Sequence, residues 1–274
     1  GYRALALNTT ANYNTAVGNQ ALYANTTGAN NTAVGYAALV ANTTGVRNVA
    51  IGSTSLDVNT TGGDNVAVGT NALGANTTAS NNTAVGSAAL MANTTGSYNT
   101  GLGNSAMIVN TTGAGNTASG YQSLYSNTTA SYNTSTGYQS LKANTTGAQN
   151  TAFGTWGLLT NTTGANNTAT GYEALYYNTT ASNNTASGYR ALKANTTGTE
   201  NTAVGMSSSI ANTTGNYNAS FGKGTLQTNT TGSQNTAIGT NALQNATTAN
   251  SNTSVGYYAL QANTTGTNNV AIGK

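Results

Sequence analysis

Apolar side chains recur along this chain with a period of 17 residues, and polar ones fill the intervals without ever slipping register. With Gly1 taken as slot 1, glycine returns at slot 1 of every repeat, from Gly18 and Gly35 through to Gly273. Slot 5 holds Leu5, Leu22, Leu39 and their successors, with Met107 once and Ser209, next to Ile210, as the exception. Slot 17 is mostly Val, Ile, Leu or Phe, slot 16 is Ala, Ser or Gly, and slot 15 is Thr or Val apart from Ala219. An unbroken short period marks a solenoid, in which each unit buries its inner face against its neighbours.

The two Gly-type positions per repeat and the heavy Thr and Asn load disfavour helix. Short β-prone runs between Gly and Asn predict one strand at slots 14–17 and a second at slots 4–10, with turns at slots 1–3 and 11–13. Slot 11 is Gly or Ala throughout (Gly28, Gly45, Ala79, Ala130). That suits a tight bend, and the alanines speak against an obligatory left-handed φ there. Alternation along the second strand puts slots 5, 7 and 9 inside and slots 6, 8 and 10 toward solvent. The expected fold is all-β: a β-solenoid (β-roll) of sixteen 17-residue coils, two short strands per coil, running over 1–274 as one continuous rod without caps.

The charges support an inside and an outside. The 7 basic and 4 acidic residues all fall in slots 2, 3, 6 and 13 (Arg3, Arg47, Asp57, Asp64, Lys142, Glu173, Arg190, Lys193, Glu200, Lys223, Lys274). An unpaired buried charge is costly, which explains their absence from slots 4, 5, 7, 9 and 14–17. A net charge of +3 from scattered cations is no nucleic-acid footprint, which needs basic residues clustered on one face. Proline is absent, as expected where most N–H groups join a ladder.

The predicted core is thin, about one Leu and one slot-17 residue per coil. Burying each stabilises by roughly 1.5–3 kcal/mol, against roughly 1–2 kcal/mol of backbone entropy per ordered residue. Ladders, small-residue packing and association must supply the difference. The smallness of slot 16 predicts a crowded face, either a narrow interior or a contact with another chain. Slot 17 turns polar at Ser119, Thr136, Thr170 and Ser187, each followed two residues later by a tyrosine. Tyr121, Tyr138, Tyr172 and Tyr189 are therefore expected to be more buried than Tyr36 and Tyr257, which follow Val.

Chemistry narrows next. Cysteine and histidine are absent, so there is no disulfide framework and no thiolate site. The four carboxylates are scattered, and Ser and Thr have no base to activate them. No catalytic, cofactor-binding or metal-binding residue is assigned. No apolar run reaches membrane-span length. A start at a repeat boundary, with no initiator Met, reads as a processed product or a fragment of something longer.

Two asparagine columns stand out. Slot 14 is Asn in all sixteen repeats: Asn14, Asn31, Asn48, Asn65, Asn82, Asn99, Asn116, Asn133, Asn150, Asn167, Asn184, Asn201, Asn218, Asn235, Asn252 and Asn269. Stacked once per coil, these form a structural amide ladder or close the turn. Slot 8 begins an Asn-Thr-Thr sequon at Asn8, Asn25, Asn42, Asn59, Asn76, Asn93, Asn110, Asn127, Asn144, Asn161, Asn178, Asn195, Asn212, Asn229 and Asn263. In repeat 15, Ala246 takes slot 8 and Asn245 opens a sequon one residue earlier. The outward face assigned to slot 8 makes these candidate glycosylation sites; a second structural ladder is the other reading.

The strings Asn48-Val49-Ala50-Ile51-Gly52, Asn65-Val66-Ala67-Val68-Gly69 and Asn269-Val270-Ala271-Ile272-Gly273 resemble the head repeats of trimeric autotransporter adhesins. The longer Asn31-Thr32-Ala33-Val34-Gly35-Tyr36-Ala37-Ala38-Leu39 is similar to repeats of bacterial surface and phage tail-fibre-like proteins. The resemblance implies a left-handed β-roll within a homotrimer, outside the cell or on its surface.

The functional expectation is a non-enzymatic structural subunit of an extracellular fibre or adhesin-like shaft, glycan-coated through slot 8. Its partner is itself, as a homo-oligomer, a trimer, or an end-to-end filament through uncapped coil ends. It has no cofactor, no nucleic-acid partner and no membrane span. The alternative is a ligand-binding solenoid, gripping carbohydrate through tyrosines in slots 2, 6 and 13 or ice through Thr columns at slots 9, 10 and 15.

Overall fold

The computed structural model describes all 274 residues. The protein is an all-β solenoid of parallel strands, one three-residue strand per repeat, from β1 (Thr15–Val17) to β16 (Val270–Ile272). By backbone packing the chain divides into two compact units, Gly1–Thr134 and Ser135–Lys274. In the first, β1 to β7 (Thr117–Ser119) pair parallel at a constant offset of one repeat, beginning Thr15↔Thr32 and ending Thr100↔Thr117. In the second, β9 (Thr151–Phe153) to β16 do the same, from Thr151↔Thr168 to Thr253↔Val270.

The coil differs from the sequence expectation first in its strands. There is one strand per coil, not two; slots 4–10 form no strand. Non-glycine residues at slots 3, 5 and 13 take left-handed φ near 50–60°, as at Gln20, Leu22 and Asn30. Left-handed backbone costs a non-glycine residue roughly 1–2 kcal/mol, so something must hold it. Alternating hand curls slots 2–7 tightly while keeping N–H and C=O groups directed at the neighbouring coils. Gln20 N donates to Tyr2 O at 2.8 Å, Leu22 N to Ala38 O at 2.9 Å and Ala24 N to Val40 O at 3.0 Å. A ladder of ordinary inter-coil hydrogen bonds thus runs through a segment with no extended strand. Slot 11 avoids left-handed φ, as the alanines there required.

Burial follows the curl. Slots 4, 5, 8, 11, 14 and 16 point inward, as in Ala21, Leu22, Asn25, Gly28, Asn31 and Ala33. The core is therefore a stack of Leu or Met at slot 5 packed on small residues at slots 4 and 16. Slot 16 is small because the interior is narrow. Slot 17 was expected to join the core and does not. With slot 16 inward, strand alternation turns slot 17 outward, and Val17, Ile51, Val85, Leu102, Phe153, Val204, Phe221 and Ile238 are exposed.

The slot-1 glycine is fixed by close approach as well as by φ. At Gly86, φ is +134°, and a Cβ would lie 2.6 Å from the carbonyl carbon and oxygen of Gly103. No side chain fits between glycines stacked this closely.

One stretch of the second unit departs from the apolar core. Ser209 replaces Leu at slot 5, and hydroxyls fill the space it leaves. Ser208 Oγ donates to Ser220 Oγ at 2.7 Å, lies 2.8 Å from Thr225 Oγ1, and Ser209 Oγ lies 2.9 Å from Ser220 Oγ. All four residues are buried and satisfy one another, as buried polar groups must.

Candidate functional site

The slot-8 asparagines turn inward, which overturns their expected solvent-facing placement. Asn25, Asn42, Asn59, Asn76, Asn93, Asn110, Asn127, Asn144, Asn161, Asn178, Asn195, Asn212 and Asn229 are fully buried. The period-two rule does not apply to a curled segment; here each third residue faces in. Both amide hydrogens are occupied: Asn42 Nδ2 donates to Asn25 Oδ1 at 2.9 Å and to Gly45 O at 3.0 Å. A glycan on that nitrogen would remove a donor and needs room the interior lacks. Asn8 and Asn263 are half-buried and bonded to Ala11 O and Gly266 O. Asn245, at slot 7, is the one exposed member of the set, while Ala246 takes the buried slot 8.

The slot-14 asparagines link coils through backbone as well as side chain. Asn48 N donates to Asn31 Oδ1 at 2.9 Å, and Asn31 Nδ2 donates to Gly45 O at 2.8 Å. Gly45 O therefore accepts two amides, from Asn31 and Asn42, using both carbonyl lone pairs. The columns at slots 8 and 14 meet at the slot-11 carbonyl. Of the threonine columns, slot 9 is engaged with the backbone: Thr43 Oγ1 donates to Thr60 O at 3.1 Å.

Outside, the strand face carries the half-exposed slot-15 residues beside the exposed slot-17 apolar row. Within the first unit, Gly74 leaves a gap in the slot-6 column between Asp57 and Met91, floored by Val58 and Ala75. Burial pushes the Asp57 carboxyl above its ordinary pKa. A single carboxylate there has no second acid, base or nucleophile to work with. Arg47 and Asp64, in slot 13 of successive coils, form an exposed bidentate pair at 2.6 and 2.8 Å.

The densest chemistry lies in the second unit, on slots 2, 3, 6 and 7 of four successive repeats. Trp156 stands 6.3 Å from Tyr138, 5.5 Å from Tyr172 and 6.5 Å from Tyr176, centroid to centroid. Tyr172 and Tyr189 are nearly parallel at 5.6 Å, and Tyr176 and Tyr177 meet edge to face at 4.6 Å. Trp156 Nε1 donates to Gln139 Oε1 at 3.2 Å, which fixes the indole. Glu173, almost fully buried, bridges Arg190 at 2.7 Å and Lys193 at 2.8 Å. Burial pushes its carboxyl up, but hydrogen bonds and charge from Lys193 and Arg190 outweigh that and hold it below the ordinary range. The two cations also lie over rings, Arg190 on Tyr189 at 4.9 Å and Lys193 on Tyr176 at 5.6 Å.

The expected ordering of tyrosine burial holds: Tyr121, Tyr138, Tyr172 and Tyr189 are 37–45% exposed, against 57% for Tyr36 and 50% for Tyr257. Ring–ring contact accounts for part of this at Tyr138, Tyr172 and Tyr189. The cluster was not legible as a unit, because its members belong to different slots of different repeats. The lone Trp of the chain was its one available signal.

No protein-family model matches the chain, and no curated protein sequence matches it. No helix is long and apolar enough to cross a membrane.

Proposed function

We propose that this protein is a non-catalytic structural subunit of an extracellular or cell-surface fibre or adhesin-like shaft, which associates with further copies of itself. The observation that carries the reading is the outward apolar row at slot 17, unbroken from Val17 to Leu102 in the first unit and from Val204 to Ile272 in the second. Parallel sheets are ordinarily covered on both faces, and contiguous exposed apolar surface marks interaction sites. A second copy has the same 17-residue period and matches such a row coil for coil. The trimer implied by the adhesin resemblance is one arrangement that covers it. Inside, each coil satisfies the next through the asparagine columns, a construction that serves extension and leaves little room for a pocket. A sugar coat through slot 8 forms no part of the proposal.

Light scattering coupled to size-exclusion chromatography tests it. The chain is expected to run as a homo-oligomer, and Val85→Lys with Leu102→Lys is expected to lower its mass while thermal unfolding stays cooperative. A monomer at all concentrations would remove self-association from the proposal.

A further inference from the structure

We infer that the aromatic cluster centred on Trp156 is a binding site for a neutral, extended polysaccharide with flat apolar sugar faces. The site comprises Tyr138, Trp156, Tyr172 and Tyr189, with Gln139 and the Glu173 ion triad at its edge.

Its confinement is the first argument. The slot-17 apolar row runs through six successive repeats of the first unit and five of the second, as an interface between like copies would, and turns polar at Thr170 and Ser187 beside the ring cluster. The rings gathered on Trp156 are a local group, as a ligand site would be. Slots 2 and 3 elsewhere carry tyrosines too (Tyr2, Tyr36, Tyr121, Tyr257, Tyr258), but here alone do they surround the single Trp of the chain.

Chemistry points to sugar. Pyranose rings present axial C–H groups on a face and hydroxyls around the rim. Rings with polar tips meet both needs, since Trp and Tyr combine an apolar body with a hydrogen-bonding end. Tyr138, Tyr172 and Tyr189 keep more than a third of their surface in solvent. The indole is already held by Gln139, and Trp156 is tilted 55° to Tyr172 and 70° to Tyr138. Such prior fixation lowers the ordering cost of binding.

Charge argues for a neutral ligand. Glu173 already bridges both Arg190 and Lys193, so these cations are engaged within the protein. Spacing argues for an extended chain. Neighbouring strands lie about 4.8 Å apart, close to the length of one unit in a β-1,4-linked glycan. Tyr172 and Tyr189 repeat at 5.6 Å on successive coils.

The chain has a single Trp, so its fluorescence reports on this site alone. Cellohexaose and chitohexaose are titrated into the full chain, with an α-1,6-linked dextran oligomer as control. The expected result is a saturable emission change with at least one β-1,4 hexasaccharide and none with dextran. Tyr172→Ala with Tyr189→Ala is expected to weaken binding at least tenfold with thermal unfolding unchanged. Should that pair disturb folding, Tyr172→Leu with Tyr189→Leu keeps the bulk, and the same loss is expected. Overturning results are no saturable change at millimolar sugar, equal response to dextran, or binding undiminished in the folded variants. An emission that instead tracks protein concentration without sugar would mark the cluster as a self-contact and overturn the inference.

Discussion

Asn229 Oδ1 is the one buried side-chain polar atom without a hydrogen-bond partner, and the slot that would serve it in the following coil belongs to Ala246. Elsewhere in the column the donor is the next coil's amide, as where Asn229 Nδ2 itself donates to Asn212 Oδ1 at 2.9 Å. An unpaired buried acceptor costs about 1–3 kcal/mol. Ala246→Asn is therefore expected to stabilise the protein by a similar amount, read as a higher denaturation midpoint with an unchanged slope. An unchanged or lower midpoint would show that the surroundings of Ala246 have closed over the gap.

The converse substitution is expected to harm. Asn93 donates to Asn76 Oδ1 and Gly96 O and accepts from Asn110. Asn93→Ala leaves those groups short of partners in a dry interior, at about 1–3 kcal/mol for each one orphaned. Thr95→Ala, two residues away on an exposed position, is expected to fall within about 0.5 kcal/mol of the parent. Equilibrium unfolding of the two variants side by side checks the contrast.

Sequon chemistry should follow burial rather than motif. Folded protein treated with a soluble N-glycosyltransferase is expected to accept sugar at Asn245 and at none of the buried sequons from Asn25 to Asn229. Peptide mapping by mass reads the result. Modification at Asn93 or Asn161 in the folded state would contradict the inward column.

Acid should loosen the ion triad. Because the folded Glu173 carboxyl titrates below its ordinary value, its contribution is complete above the unfolded carboxylate pKa, about 4.3. That contribution is lost as pH falls through the lowered folded value. Glu173→Gln is expected to cost on the order of 1–3 kcal/mol at neutral pH through lost charged hydrogen bonds. The gap between parent and variant should narrow below pH 4; a gap independent of pH would mean packing, not charge, holds this corner.

The period, the slot-5 core and the absence of charge from slots 4, 5, 14 and 16 were legible because each follows from burial in every repeat; the buried Glu173, at slot 3, was not. The conformation of slots 4–10 was not. Left-handed φ at Leu22 or Leu39 contradicts local propensity and is imposed by ladder bonds to other coils, such as Leu22 N to Ala38 O. A signal was nonetheless present: the near-invariant slots 5, 8, 11 and 14 are three apart, not two. At slot 17, hydrophobicity suggested burial for Val85 and Leu102. The small slot 16 next to it, occupied by Ala84 and Gly101, was the better guide to which way the strand faced.

Sixteen near-identical coils create a hazard that ordinary folds escape: a coil can dock one frame out of step and still find a ladder. Against that degeneracy, the hydroxyl network of Ser208, Ser209, Ser220 and Thr225 acts as a key. Displaced by 17 residues, Ser220 would face Leu192 or Leu226, and Ser208 and Ser209 would lose its hydroxyl as a partner. A few misfit residues in one place thus tell the second unit which coil is which.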